Sequence, residues 1–109
     1  MSQAAELTNN IIDFIYRQGN AYAFRVSSMG VYDKRIGSYR TGAKKGISDI
    51  LACVNGKFVA IEVKIGKDHL SPEQEGFLKN IEHVGGIALV VKAFEDFKQQ
   101  WKEKVDNFI

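Results

Sequence analysis

One cysteine, one proline and two well-separated histidines in 109 residues exclude several classes of protein at once. A single thiol, Cys53, permits no internal disulfide. Set in an apolar run, it is expected to be a small buried residue, and a lone thiol suits a reducing, cytoplasmic compartment. His69 and His83 lack the spacing of a zinc pair or of a histidine-based nuclease motif; His69, near Lys67, is a surface residue or at most touches a phosphate. No apolar run approaches the roughly 20 residues that span a bilayer, and no leader pattern opens the chain, so no membrane partner is expected. Gly30, Gly37 and Gly42 are too few and wrongly spaced for a nucleotide-binding fingerprint, and there is no P-loop. Repeats, linkers and low-complexity segments are absent. What remains is one domain over residues 1–109, able to bury a real but thin core.

What is present centres on Gly46 to Lys64. Asn55-Gly56 separates two apolar, β-branched runs, a strong hairpin signal because both central residues of a type I′ turn need φ > 0. Counting outward from that turn, Val54 faces Lys57, Cys53 faces Phe58, Leu51 faces Ala60 and Asp49 faces Glu62. Lys64 shares the face of Glu62. Two carboxylates directly opposite are destabilising, whereas a divalent cation between them turns the pair into a hard-oxygen site, with Lys64 as a nearby positive charge. The plainer account is a solvent-facing Glu–Lys pair with Asp49 ending a loop. Against it, Phe58 and Ala60 share the Glu62 face while Val59, Ile61 and Val63 fill the other, so both faces are expected to be covered. A strand of that kind carries Glu and Lys only if they have partners.

Elsewhere the pattern predicts a helix capped by Ser2 and ending at Gly19-Asn20, with Leu7, Ile11, Phe14 and Ile15 as its stripe. Glu6, in its first turn, either complements the helix dipole or reaches a metal site, directly or through water. A strand follows over residues 21–26. Residues 27–45 show no sustained period and read as a long loop. From Arg25 to Lys45, the basic residues Arg25, Lys34, Arg35, Arg40, Lys44 and Lys45 face Asp33 alone, although the whole chain is only +2. Cations interleaved with Tyr32 and Tyr39 suit a polyanion, nucleic acid above all; a solvated loop is the alternative. Ser71-Pro72-Glu73-Gln74 opens a second helix: N-cap, proline at N1, and Gln74 completing a capping box. Gln74 also falls on the inward stripe with Phe77, Leu78 and Ile81. Residues 87–91 read as a strand buried on both faces. A last helix from Phe94 carries Phe97, Trp101, Val105 and Phe108 on one side, and Trp101, Phe108 and Ile109 near the end are more than docking requires. The order implies an α/β fold: a central mixed four-stranded sheet flanked by helices.

Lys45-Gly46-x-x-Asp49, Ile61-Glu62-Val63-Lys64, Leu70-Ser71-x-x-Gln74 and a first-helix Glu matching Glu6 together resemble the VRR-NUC domain of the PD-(D/E)xK nuclease superfamily, over nearly the whole chain. One departure is Ser48, where that family commonly has proline. The resemblance implies the restriction-endonuclease-like fold and a Mg²⁺- or Mn²⁺-dependent DNA endonuclease. It implies Asp49, Glu62 and the Val63 backbone carbonyl as metal ligands, Lys64 for the attacking water or the phosphorane, and Glu6 and Gln74 completing the shell. Small stand-alone members are associated with phages and with cutting branched DNA such as four-way (Holliday) junctions, which places such a chain in a bacterial or phage-infected cell. Resolving a two-fold junction takes two nicks, so a homodimer is expected, through the terminal stripe or the aromatic part of the long loop. A catalytically silent nucleic-acid-binding module, an interaction subunit using the terminal stripe, and a flap- or end-processing nuclease remain as alternatives.

Overall fold

A computed structural model of the chain describes residues 1–26, 31–40 and 44–108. Expectations on Gly30, Gly42 and Ile109, and on the side chains of Tyr39, Arg40 and Phe108, lie outside the described residues. The elements run α1 (Gln3–Arg17), β1 (Ala21–Arg25), β2 (Val31–Asp33), β3 (Ser38–Arg40), β4 (Ile50–Val54), β5 (Lys57–Val63), α2 (Pro72–His83), β6 (Ile87–Val91) and α3 (Phe94–Gln100). The last helix continues as a wider π turn, Trp101–Val105, and a 3-10 turn, Asp106–Phe108. Among the described residues no helix is long and apolar enough to cross a membrane.

The main sheet has the order β1-β4-β5-β6. Its first three strands are antiparallel and β6 joins β5 in parallel, the mixed α/β sheet that the pattern of elements implied. Asn55 and Gly56 sit at φ 50° and 82°, the type I′ requirement. The β4–β5 register is therefore the one counted from the turn, through Ile50 opposite Ile61. One face of the sheet carries Ala23, Ile50, Ala52, Val54, Val59, Ile61, Ile87, Leu89 and Val91, and packs under Leu7, Ile11 and Ile15 of α1 and Phe97, Trp101 and Val105 of the C-terminal helix. On the other face, Leu78 of α2 packs on Ala60 and Ala88, with Phe77 and Ile81 beside it. Both sheet edges are tied by a side-chain donor: the Tyr16 hydroxyl donates to the Ala23 carbonyl on β1, and the Gln100 amide to the Val90 carbonyl on β6. Capping an outward carbonyl in this way blunts edge-to-edge pairing.

Three expectations change here. The segment after β1 is not structureless, because β2 and β3 form a hairpin that is a sheet of its own. Cys53 is exposed, not buried. It lies with Tyr22, Phe24 and Phe58 on the α2 side of the sheet, and those three rings are exposed as well. The reason is coverage: among the described residues α2 centres on Ala60 and Ala88 and reaches β4 only at Leu51, leaving Tyr22, Phe24, Cys53 and Phe58 uncovered. Finally, the described part of the terminal stripe, through Val105, is no spare surface. Phe97, Trp101 and Val105 are fully buried, where Phe14 of α1 meets Phe94, Phe97 and Trp101 edge-on.

Candidate active site

The hairpin register delivers Asp49 and Glu62 to the same end of the sheet. Asp49 stands one residue before β4. Its carbonyl accepts from the Val26 amide at 2.8 Å, extending the β1–β4 ladder. Its carboxylate Oδ2 accepts from the Val63 amide, also at 2.8 Å. The preceding Ser48 is buried and donates from Oγ to the Ile50 carbonyl at 3.0 Å. The serine thus stiffens the entry to β4 by a hydrogen bond, where proline would do so by its ring. In a strand, a residue's N–H and C=O point to the same neighbour. The Val63 carbonyl therefore faces the Asp49 side.

Glu62 is only 2% exposed. Its Oε1 accepts from Gln74 Nε2 at 3.3 Å and lies 3.9 Å from the Lys64 ammonium. Its Oε2 is buried and meets no hydrogen-bond donor among the described residues. Burial, followed by the hydrogen bond and negative charge of Asp49, pushes the Glu62 carboxyl up to about 8, against a smaller opposing pull from Lys64. Two carboxylates have no proton to share, so the bond to Asp49 exists only when one of them is protonated. A buried acceptor without a donor beside a second carboxylate is a poor structural choice. A divalent cation, which takes oxygen ligands of this kind, would satisfy the orphaned oxygen and cancel the repulsion. The residues present therefore fit such an ion.

Gln74 does two things at once. Its Oε1 accepts from the Ser71 amide at 2.9 Å and its own amide donates to Ser71 Oγ at 3.1 Å, a complete capping box. Because the cap occupies the carbonyl oxygen, the amide nitrogen must turn inward, and it reaches Glu62. Lys64 is only 14% exposed. The helix start is itself held by Gly46. At φ +83°, Gly46 lies against α2 so closely that a Cβ would stand 2.4 Å from the Glu73 carbonyl oxygen, while Lys45 pairs with the Glu73 carboxylate at 3.4 Å. Gly46→Ala is expected to cost at least ~1–2 kcal/mol in a urea melt from the left-handed backbone alone. It should also lower single-turnover cleavage more than that loss explains, because Gln74 moves with α2.

Glu6 does not join the pair. Among the described residues no three His, Cys, Asp or Glu side chains gather as a metal cluster. Glu6 instead lines a cavity of about 340 Å³ with Gln3, Asn10, Ile65 and Lys92, next to the residue that follows Lys64. Of the basic candidates, Arg25, Lys34 and Lys44 are exposed, Arg35 is paired with Asp33 at 3.1 Å, and Lys45 with Glu73. The hairpin that carries Lys34 and Arg35 was missed as an element. Its signals were the Asp33 turn start, Gly37 at φ +68° and the Tyr32–Tyr39 cross-strand pair.

No protein-family model and no curated protein sequence matches the chain. Solved structures do. A structure described as a VRR_NUC domain protein superposes with a TM-score of 0.68 over 97% of this chain and 90% of that one, at 17% identity. Hjc of Archaeoglobus fulgidus, described as a Holliday junction resolvase from an archaeal hyperthermophile, superposes with a TM-score of 0.54 over 82% of this chain and 67% of that one, at 22% identity. The chain has the fold these two share, the restriction-endonuclease-like α/β fold with a four-stranded mixed sheet.

Proposed function

We propose that the chain is a metal-dependent DNA endonuclease of the VRR-NUC kind, hydrolysing phosphodiester bonds in branched DNA such as four-way junctions. The observation that carries this reading is the meeting of two carboxyl groups, Asp49 and a buried Glu62 that burial and Asp49 raise to about 8, with no donor among the described residues on Glu62 Oε2. The shared fold, in one case that of a junction resolvase, supports it.

Asp49, Glu62 and the Val63 carbonyl would hold Mg²⁺ or Mn²⁺. Such an ion, when bound, lowers the pKa of a water and offsets charge on the scissile phosphate. The chain's own part is positional. The Val63 amide fixes the Asp49 carboxylate. Gln74 holds one oxygen of Glu62 and so aims the other into the site. Lys64 brings a little-exposed positive charge beside Glu62, placed to meet a phosphate oxygen or the attacking water. Glu6 acts from its neighbouring cavity, through water. Arg25, Lys34, Arg35, Arg40, Lys44 and Lys45 supply phosphate contacts.

The working form is a homodimer in a bacterial or phage-infected cytoplasm. With the terminal stripe buried, the dimer surface is the open half of the sheet: Tyr22, Phe24, Cys53 and Phe58 carry no charge, which suits a copy of itself better than a polyanion. The test is a labelled four-way junction and a linear duplex incubated with Mg²⁺ or Mn²⁺, with and without chelator, alongside light scattering. Paired nicks across the junction, abolished by chelator, from a particle of twice the 12.2 kDa chain mass are expected. Junction binding without cleavage under either metal would establish the silent binding module instead. Single nicks from a monomer would establish flap or end processing.

A further inference from the structure

The β2–β3 hairpin ends in Lys34-Arg35-Ile36-Gly37, and Ile36 at that tip is 59% exposed. Turn positions favour Gly, Asn, Asp, Ser and Pro, and an isoleucine there leaves most of its apolar surface in water. The tip is nonetheless rigidly built. The Asp33 carbonyl accepts from the amides of Ile36 and Gly37 at 3.3 and 3.0 Å. The Asp33 carboxylate accepts from the Arg35 amide at 2.9 Å and from two guanidinium nitrogens at 3.3 and 3.1 Å. Arg35, clamped at one edge, still leaves 80% of its side chain in water, and Lys34 beside it is exposed. A hydrogen-bonded two-stranded ribbon therefore presents one branched apolar side chain next to two cations.

We propose that this tip is a wedge for branched DNA: Ile36 inserts at the unstacked base pairs of a branch point while Lys34 and Arg35 hold the flanking phosphates. The inference rests on the reading of the chain as a DNA-acting protein and adds the element that selects branches over duplex. Three arguments lead there. An apolar, β-branched side chain cannot read hydrogen bonds along a groove, but apolar wedges of this type do separate base steps. Unstacking costs least where stacking is already broken, which favours a branch over continuous duplex. Holding the tip rigid beforehand removes much of the ordering cost of insertion.

The experiment places 2-aminopurine beside the crossover of a synthetic four-way junction and titrates it with protein in chelator, so that no strand is cut. Wild type should raise the fluorescence on binding. Ile36→Ser, which keeps both cations and the Asp33 clamp, should lose that rise and about tenfold of the junction-over-duplex affinity ratio, ~1.4 kcal/mol. Its affinity for linear duplex should stay unchanged, and Ile36→Leu should restore both signals. Junction binding by wild type without a fluorescence rise, or an Ile36→Ser chain that keeps rise and ratio, overturns the wedge. Either result leaves the nuclease reading standing if Mn²⁺ still supports cleavage. A rise that depends on Ile36 together with no cleavage under Mg²⁺ or Mn²⁺ confirms the wedge and removes the nuclease.

Discussion

Metal-free protein is expected to lose stability as the pH rises from about 4.5 to about 8, the opposite of ordinary acid denaturation. The Glu62 carboxyl is raised from 4.5 to about 8 in the folded chain, by burial first and by Asp49 second. Between those values the folded state holds a proton that the unfolded state has released, so unfolding becomes easier as pH climbs. Below about 4.5 both states are protonated and the effect vanishes; above about 8 both are ionised and the full penalty applies. At 1.36 kcal/mol per unit the penalty is on the order of 4–5 kcal/mol, roughly 15 °C in melting temperature for a domain of this size. Thermal melts in chelator across pH 4 to 9 measure it directly. Glu62→Gln, which cannot ionise, should flatten the decline. Millimolar Mn²⁺ at pH 8 should raise the melting temperature of wild type and not of Glu62→Gln. A melting temperature that stays level or rises over that range in wild type would show that burial and Asp49 do not hold a proton on Glu62.

Removing the other carboxylate separates function from folding. Asp49→Ala should abolish cleavage, a loss of at least ~10³-fold, since an ionised ligand to the ion that offsets phosphate charge is gone and electrostatic contributions of this kind are large. Calorimetric titration should show weakened Mn²⁺ binding, while DNA binding in chelator survives. The same substitution lifts two of the causes that raise Glu62, so metal-free Asp49→Ala should be as stable as wild type at pH 8, or more so. A variant that is inactive because it is unfolded would show the reverse. Equal Mn²⁺ affinity in wild type and Asp49→Ala would remove Asp49 from the metal site.

Much of this site was legible in the chain because its determinants are local. Two residues, Asn55 and Gly56, set the turn, and with a side-chain period of two every residue on both arms follows, Asp49 and Glu62 included. Ser71, Pro72 and Gln74 specify a helix start within one turn. The face that Gln74 shares with Phe77 and Leu78 aims it at the sheet. The double duty of Gln74, as cap and as donor to Glu62, follows from those two local facts together.

What local pattern could not decide was how far each covering element reaches. Cys53 and Phe58 have the pattern of buried strand residues. They are exposed because α2, twelve residues long, centres Leu78 on Ala60 and Ala88 and reaches β4 at Leu51, leaving Cys53 and Phe58, nearer the hairpin turn, uncovered by the described residues. Trp101 looked surplus to docking by the stripe's own content, yet Phe14 from the far end of the chain packs against it and takes it into the core. Glu6 shows the same limit. Its place in a helical turn was evident, but whether that turn overhangs the Asp49–Glu62 pair depends on how α1 docks, and it docks with Glu6 over a neighbouring cavity. The sequence by itself determined the β4–β5 hairpin, its register and the helix caps, because turns, periodicity and capping act within a few residues. Only the tertiary structure decided which apolar faces are covered and which carboxylates meet, because both depend on the lengths and docking of elements distant in the chain.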